Sequence, residues 1–262
     1  MIAFSNENQS LPLLGRTILI TRTEKGNETE RQKLESLGAK VVELPTIEIQ
    51  PPSSWSAIDG AIGTIDGFDW IVFTSANGVR MFFERLEHVS GKKNLKARFA
   101  CVGPSTKAEL ERHGVSVSLV PDEFLTEKLG EQLSLNFPME GKRVLLARAE
   151  VASNVISKIL KEAGAVVVEA PVYRTYPKKN GGGKDFMGQV TDITLTSPST
   201  VEGLLTSFRP EEIASRKIRV HCIGPVTANR ARELGLSVDS TANVHTIEGL
   251  TIDLANKGKV ET

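Results

Sequence analysis

The sequence predicts an α/β protein built from two parallel-sheet layers, and three observations lead there. First, one stretch occurs twice: Cys101-Val-Gly-Pro-Ser-Thr-Lys-Ala-Glu-Leu-Glu-Arg-His-Gly-Val-Ser-Val117 returns from Cys222 to Val238 with seven of seventeen positions identical. Each copy reads as a strand end, a Gly-Pro turn, a helix with a charged outer face, a helix-stopping glycine and a new strand. Second, Gly141–Arg148 answers Gly15–Arg22, and Glu162–Pro171 answers Ser36–Pro45, both at an offset of 126. Third, Thr196-Ser-Pro-Ser-Thr-Val201 answers Thr74-Ser-Ala-Asn-Gly-Val79. Two repeats of about 120 residues, each with five strands alternating with helices, therefore fill the chain.

Taken in order, Gly15–Arg22 is a short apolar and β-branched run, as expected of a strand covered on both faces. A polar-faced helix from about Glu24 to Leu37 is closed by Gly38, and Ala39–Leu44 is the next strand. Pro45–Pro52 is extended, because its prolines disfavour helix and inner strand alike. A helical stretch, Trp55–Ile65, precedes a buried strand from Asp69 and a small-polar turn, and Val79 to about Leu86 is helical. Arg98–Val102 and Val117–Pro121 are strands around the first Gly-Pro copy. Asp122 or Thr126 is expected to cap the helix that runs through Leu133. The pattern then restarts at Gly141 and ends in a helix over about Ile247–Ala255, capped by Thr246. Gly181-Gly-Gly183, flanked by lysines, reads as a flexible loop, since no strand precedes it as a nucleotide-binding loop requires. The repeats alone favour two consecutive domains cut near 136–140.

Composition narrows the function. A formal net charge of zero, with only short lysine pairs such as Lys92-Lys93, speaks against a nucleic-acid partner. No apolar run approaches the ~20 residues of a membrane span, and the polar segment through Asn6–Gln9 lacks a signal-peptide core, so a cytoplasmic protein is expected. Cys101 and Cys222 end equivalent core strands as buried thiols, and the four histidines show no metal-ligand spacing, so neither a disulfide nor a metal is expected.

The carboxyl ends of parallel strands are where such sheets bind ligands. The residues there are Arg22, Thr74 and Ser75, Gly103 with Ser105 and Thr106, Arg148, Ser197 with Ser199, and Gly224 with Thr227. Gly103 and Gly224 allow a sharp turn without a Cβ clash, Pro104 and Pro225 suit a helix's first turn, and Thr106 and Thr227 add a hydroxyl beside unpaired N–H groups. Taken singly, each turn could equally be a packing connection. Together they form an inventory of hydroxyls, glycines and two arginines, with no carboxylate pair and no Ser-His-Asp order, which suits anion recognition better than nucleophilic catalysis. A bilobed, non-catalytic small-anion binding protein and a two-domain transferase fit the same inventory.

One resemblance separates these readings. Phe73-Thr-Ser-Ala-Asn-Gly-Val79, Val102-Gly-Pro-Ser-Thr106, Pro171-Val-Tyr-Arg-Thr-Tyr176, Leu195-Thr-Ser-Pro-Ser199 and Ile223-Gly-Pro-Val-Thr227, in this order and spacing, resemble the uroporphyrinogen-III synthase family. The resemblance implies two flavodoxin-like, parallel five-stranded α/β domains joined by a two-strand hinge. One domain would take residues 1–44 with 177–262, the other 51–170, and the connecting strands would be 45–50 and 171–176. It implies a cofactor-free enzyme that closes linear hydroxymethylbilane to uroporphyrinogen III with loss of water and inversion of the terminal pyrrole ring. Tyr173 matches a tyrosine that hydrogen-bonds the leaving hydroxyl. It stands where the first repeat has Ile47, so it breaks the internal symmetry; packing of the connector is the competing role. Arg22, Ser75, Gly103, Ser105, Thr106, Arg148, Ser197, Ser199, Gly224 and Thr227 are implied substrate contacts, with helix capping or surface ion pairing as their alternatives. Val226 departs from relatives with a second threonine there. No connector or helix shows a large apolar outer face, so a monomer is expected, and a transient contact with the preceding pathway enzyme is left open.

Overall fold

The computed structural model describes residues 11–22, 24–91, 94–178 and 186–257; the expected glycine loop at 181–183 lies outside them. The strands are β1 (Thr17–Ile20), β2 (Lys40–Glu43), β3 (Ile47–Gln50), β4 (Trp70–Phe73), β5 (Arg98–Cys101), β6 (Arg143–Ala149), β7 (Val166–Pro177), β8 (Asp192–Leu195), β9 (Arg219–Cys222) and β10 (Ser240–Thr241). The helices are α1 (Glu24–Ser36), α2 (Ser56–Gly63), α3 (Ala76–Ser90), α4 (Pro104–Arg112), α5 (Thr126–Asn136), α6 (Val155–Glu162), α7 (Pro198–Leu205), α8 (Pro210–Ser215), α9 (Pro225–Glu233) and α10 (Ile247–Lys257).

They form two five-stranded sheets, ordered β2-β1-β8-β9-β10 and β3-β7-β6-β4-β5. All pairings in the first sheet are parallel, as are β7-β6, β6-β4 and β4-β5 in the second. The compact units are not the repeats. Residues of Met1–Glu48 and Pro177–Thr262 form one, which we call unit 1, and Ile49–Tyr176 form unit 2. The reason lies in the pairing: β1 of the first repeat takes β8 of the second as its neighbour, while β4 of the first repeat takes β6 of the second.

Strand alternation divides each core into two faces. In unit 2, Ile71, Phe73, Phe99, Cys101 and Leu145 pack with α2, α3 and α4, while Trp70, Val72, Val144 and Leu146 pack with α5 and α6. In unit 1, Leu19, Ile193, Leu195, Val220 and Cys222 face one way and Ile18 and Ile20 the other, the latter with Leu34, Leu250 and Leu254. Both cysteines are free and buried; burial pushes the Cys101 thiol up to about 11 and the Cys222 thiol to about 12.

At the amino end of β8, unit 1 buries a polar cluster. Asp192 is 0% exposed and accepts from Arg16 Nε (2.9 Å), Thr191 Oγ1 (2.7 Å) and His221 Nε2 (2.8 Å), with Arg219 Nε at 3.0 Å. Burial alone would raise its pKa, but the bonds from His221, Arg16 and Thr191 hold the carboxyl far below the usual range. Arg16 Nη1 also donates to Leu254 O at 2.8 Å, and Ser240 Oγ meets His221 Nδ1 at 2.6 Å.

Three local expectations change. Helix α3 is longer than expected, because Ser75 caps it four residues before Val79 and Gly91, at φ 61°, ends it after Ser90. The strand expected over 117–121 reduces to a bridge between Leu119 and Ala100. Neither Asp122 nor Thr126 caps α5: its first flanking residue is Leu125, and Asp122 instead accepts from Gln132 at 2.9 Å. Thr246 does cap α10, through Gly249 N at 3.0 Å.

Candidate active site

In unit 2, β4 ends at Phe73 and the chain stays extended through Ser75 (φ −161°, ψ 151°). The Ser75 Oγ therefore sits over the first turn of α3, where it accepts from Gly78 N at 3.0 Å. The Tyr173 hydroxyl lies 2.9 Å from that Oγ. Tyr173 reaches it because the β6–β7 register shifts between Arg148 and Ala149, and Glu150 N then bonds Tyr173 O at 2.8 Å. The ring is only 7% exposed; burial pushes its pKa up, with the Ser75 bond pulling the other way, so at neutral pH it is a phenol able to donate.

On the neighbouring strand, β5 leads into Gly103 and α4, with Pro104 in the first turn, Ser105 exposed and Thr106 buried. The sharp-turn rationale for the glycines is corrected: Gly103 has φ −175° and so does Gly224, extended backbone open to any residue. What they accommodate is a close neighbour. A Cβ at Gly103 would meet Phe124 at 3.4 Å, and one at Gly224 would meet His245 at 3.2 Å.

Unit 1 repeats the edge with different detail. Ser197 caps α7 by accepting from Thr200 N at 3.2 Å, and its Oγ lies 2.9 Å from Ser199 Oγ. Thr200 Oγ1 returns the bond, accepting from Ser197 N at 3.1 Å. Gly224 and Pro225 start α9, with Thr227 buried and Val226 exposed.

The two arginines differ in company. Arg148 forms an ion pair with Glu169 and donates to Ser153 O (2.6 Å) and Asn154 Oδ1 (3.0 Å). Ser157 and Lys161 complete that cluster on the α6 side. Arg22 is half-buried just past β1, and burial lowers its pKa against the opposing pull of Glu30. The structure thus bonds Tyr173 to Ser75 and Ser197 to Ser199, and sets Gly103 and Gly224 at adjacent strand ends of their own sheets.

Glu30, Thr194, Phe124 and His245 escape a reading by motif. The internal comparison flags them all the same: at the repeat offsets, Glu30 and Thr194 face Ile156 and Val72, and His245 faces Phe124. Among the described residues, no three His, Cys, Asp or Glu side chains are grouped to hold a metal ion, and no helix is long and apolar enough to cross a membrane.

Fold and site together define an α/β protein of two units whose strand ends carry hydroxyl and N–H donors, suited to anions, plus one buried phenol. The comparisons are narrower. A family profile described as Uroporphyrinogen-III synthase HemD matches residues 28–252. A uroporphyrinogen-III synthase of Synechococcus elongatus is 32% identical over 252 residues, covering 92% of this chain and 95% of that protein. The fold is shared with uroporphyrinogen-III synthetase of Helicobacter pylori (TM-score 0.61, 20% identity, 92% of this chain and 99% of that one). It is shared too with a mutant uroporphyrinogen III synthase of Thermus thermophilus (TM-score 0.60, 17% identity, 94% and 100%). The chain belongs to the uroporphyrinogen-III synthase family of enzymes.

Proposed function

We propose that this enzyme closes hydroxymethylbilane to uroporphyrinogen III without a cofactor, using Tyr173 as the group that protonates the departing hydroxyl. The single observation carrying this reading is the Tyr173–Ser75 pair, 2.9 Å apart at the amino end of α3. As the C–O bond breaks, the phenol proton goes to the hydroxyl, which leaves as water. The substituted carbon of the terminal pyrrole then attacks the methylene that lost the hydroxyl, giving a spiro intermediate; the bond from that carbon to its original methylene breaks and re-forms at the unsubstituted α-carbon, whose released proton restores the phenol. The positive end of α3 and the Ser75 hydroxyl steady the tyrosine oxygen while it lacks its proton. Since linear substrate closes uncatalysed to the uninverted isomer, most of the enzyme's contribution is orientation.

The substrate carries acetate and propionate carboxylates on every ring. In this reading they meet Ser75, Gly103, Ser105 and Thr106 on unit 2 and Ser197, Ser199, Gly224 and Thr227 on unit 1, through hydroxyls and first-turn N–H groups. Arg22 supplies a full charge, and Arg148 a smaller contribution from within its Glu169 pair. Each unit is read as a flavodoxin-like sheet, supported in unit 1 by the order β2-β1-β8-β9-β10. The extended segments 45–50 and 171–176 are read as the hinge.

The test is incubation of the purified chain with enzymatically generated hydroxymethylbilane and separation of the uroporphyrinogen isomers. Formation of the inverted isomer is expected; the uninverted isomer alone overturns the reading. Folded Tyr173→Phe is expected to lose roughly 100-fold in kcat without losing the isomer preference, the lower end of what a general acid contributes. An unchanged kcat removes Tyr173 from the chemistry.

A further inference from the structure

Helix α1 turns a carboxylate inward. Glu30 is 1% exposed and lies one turn before the fully buried Leu34, on the face that packs against Ile18 and Ile20. Its Oε1 is bonded by Thr194 Oγ1 at 2.6 Å, and Thr194 is in register with Ile20 on the neighbouring strand. Its Oε2 has no hydrogen-bond partner among the described residues. Burial raises the Glu30 pKa and outweighs the opposing pulls of Thr194 and Arg22, so the carboxyl is held toward its neutral form until its free oxygen finds a partner.

A carboxyl in such a place is costly unless something compensates it. The fold itself does not require one: at the repeat offsets, unit 2 has Ile156 and Val72, both packed in an apolar core. Arg22 stands at the carboxyl end of β1, two residues past Ile20, and Ile20 is in register with the Thr194 that bonds Glu30, so carboxyl and guanidinium belong to the same strand end. A guanidinium presents five N–H donors along more than one edge, so it can hold a protein carboxylate and a ligand carboxylate together.

We propose that Glu30 is a positioning residue for substrate binding: steadied by Thr194, it is the buried carboxyl that orients Arg22 toward a carboxylate of the substrate. The unfilled Oε2 is the acceptor the guanidinium takes when the ligand is bound. This rests on the reading of Arg22 as a substrate contact, and the variants below separate the two.

Steady-state kinetics on the full chain with hydroxymethylbilane, with thermal unfolding as a control for folding, give the test. Arg22→Gln is expected to raise KM roughly tenfold, as loss of a charge-assisted contact does. Glu30→Gln is expected to raise KM about fivefold with kcat within about twofold, the pattern of lost uniform binding. Thr194→Val should move KM the same way by less. In the Arg22→Gln background, Glu30→Gln should add nothing further, because the two act as one unit. Folded Glu30→Gln and Thr194→Val with unchanged KM overturn the proposal, as do effects that multiply in the double variant. If Arg22→Gln leaves KM unchanged, the substrate-contact reading fails and takes this proposal with it, whatever Glu30 does. Should Glu30→Gln not fold, Glu30→Ile with Thr194→Val installs the pair that unit 2 uses, and an unchanged KM there is equally decisive.

Discussion

Asp192 and Trp70 open inner strands of their respective sheets, at equivalent places in the two repeats, and they are buried for opposite reasons. Around Asp192 the neighbours are Arg16, His221 and Arg219, with Ser240 behind His221. Around Trp70, Phe137 packs at 4.7 Å between ring centroids, and Arg98, the counterpart of Arg219, lies over both rings at 5.8 and 5.7 Å. His221 and Ser240 correspond to Ala100 and Leu119. The same backbone position is thus filled by an ion cluster in unit 1 and by packed rings in unit 2. The opposite ends of these strands kept Ser75 with Ser197 and Gly103 with Gly224. In the reading proposed above, the carboxyl edge is constrained by the substrate it meets, whereas the amino edge only has to be filled.

The largest effects should come from breaking that contrast. Asp192→Ala leaves Arg16 and Arg219 without their buried counter-charge and is expected to cost about 3–5 kcal/mol in urea unfolding. Trp70→Ala should cost a similar ~3–5 kcal/mol, through a cavity. Acid separates them. The folded pKa of Asp192 is lowered, so its contribution is complete above the unfolded value of ~4 and is lost as pH falls toward the folded one. Both tryptophans, Trp55 and Trp70, belong to unit 2. As pH falls below about 4, far-UV circular dichroism should therefore change before tryptophan fluorescence; coincident transitions would contradict the contrast. Thiol labelling gives a second readout. Cys222 should become reactive before Cys101 in Asp192→Ala, each being inert while buried.

Next in size are the two caps. Ser75→Ala and Ser197→Ala should each cost about 1 kcal/mol of stability. Only Ser75→Ala also unties Tyr173, so it alone should lower kcat, several-fold by analogy with the modest end of acid catalysis; equal kcat in both variants would erase the asymmetry. The smallest effect concerns the turn glycines. Gly224→Ala meets His245 at 3.2 Å and Gly103→Ala meets Phe124 at 3.4 Å, so the former should be the more destabilising, each by less than about 1 kcal/mol by calorimetry.

Much of this was legible in the residues. Duplicated turns, apolar runs and helix-ending glycines such as Gly38 and Gly114 place most elements, and the break in symmetry at Tyr173 points to a residue that is bonded to Ser75. The polar interior was not. In a four-residue strand such as Asp-Ile-Thr-Leu, alternation alone reads Asp192 and Thr194 as a solvent face, and Glu30 reads as one more charge on a charged helix. Only the other strands and helices of unit 1 show that these positions are enclosed. Cap choice at α5 and the reduction of 117–121 to one bridge were equally hidden, since each is settled by a contact with a neighbouring element, Gln132 for Asp122 and Ala100 for Leu119, that no local pattern announces.

The exchange of strands between repeats also sets an order of birth. Unit 2 lies within one uninterrupted span, Ile49–Tyr176, whereas β1 takes one of its two neighbours, β8, from beyond Pro177. On the ribosome, β1 must wait, unpaired on one flank, while the middle of the chain finishes its own sheet. The later-made helix α10 then supplies Leu254 O to Arg16, tying the residue before β1 to a segment made more than two hundred residues after it.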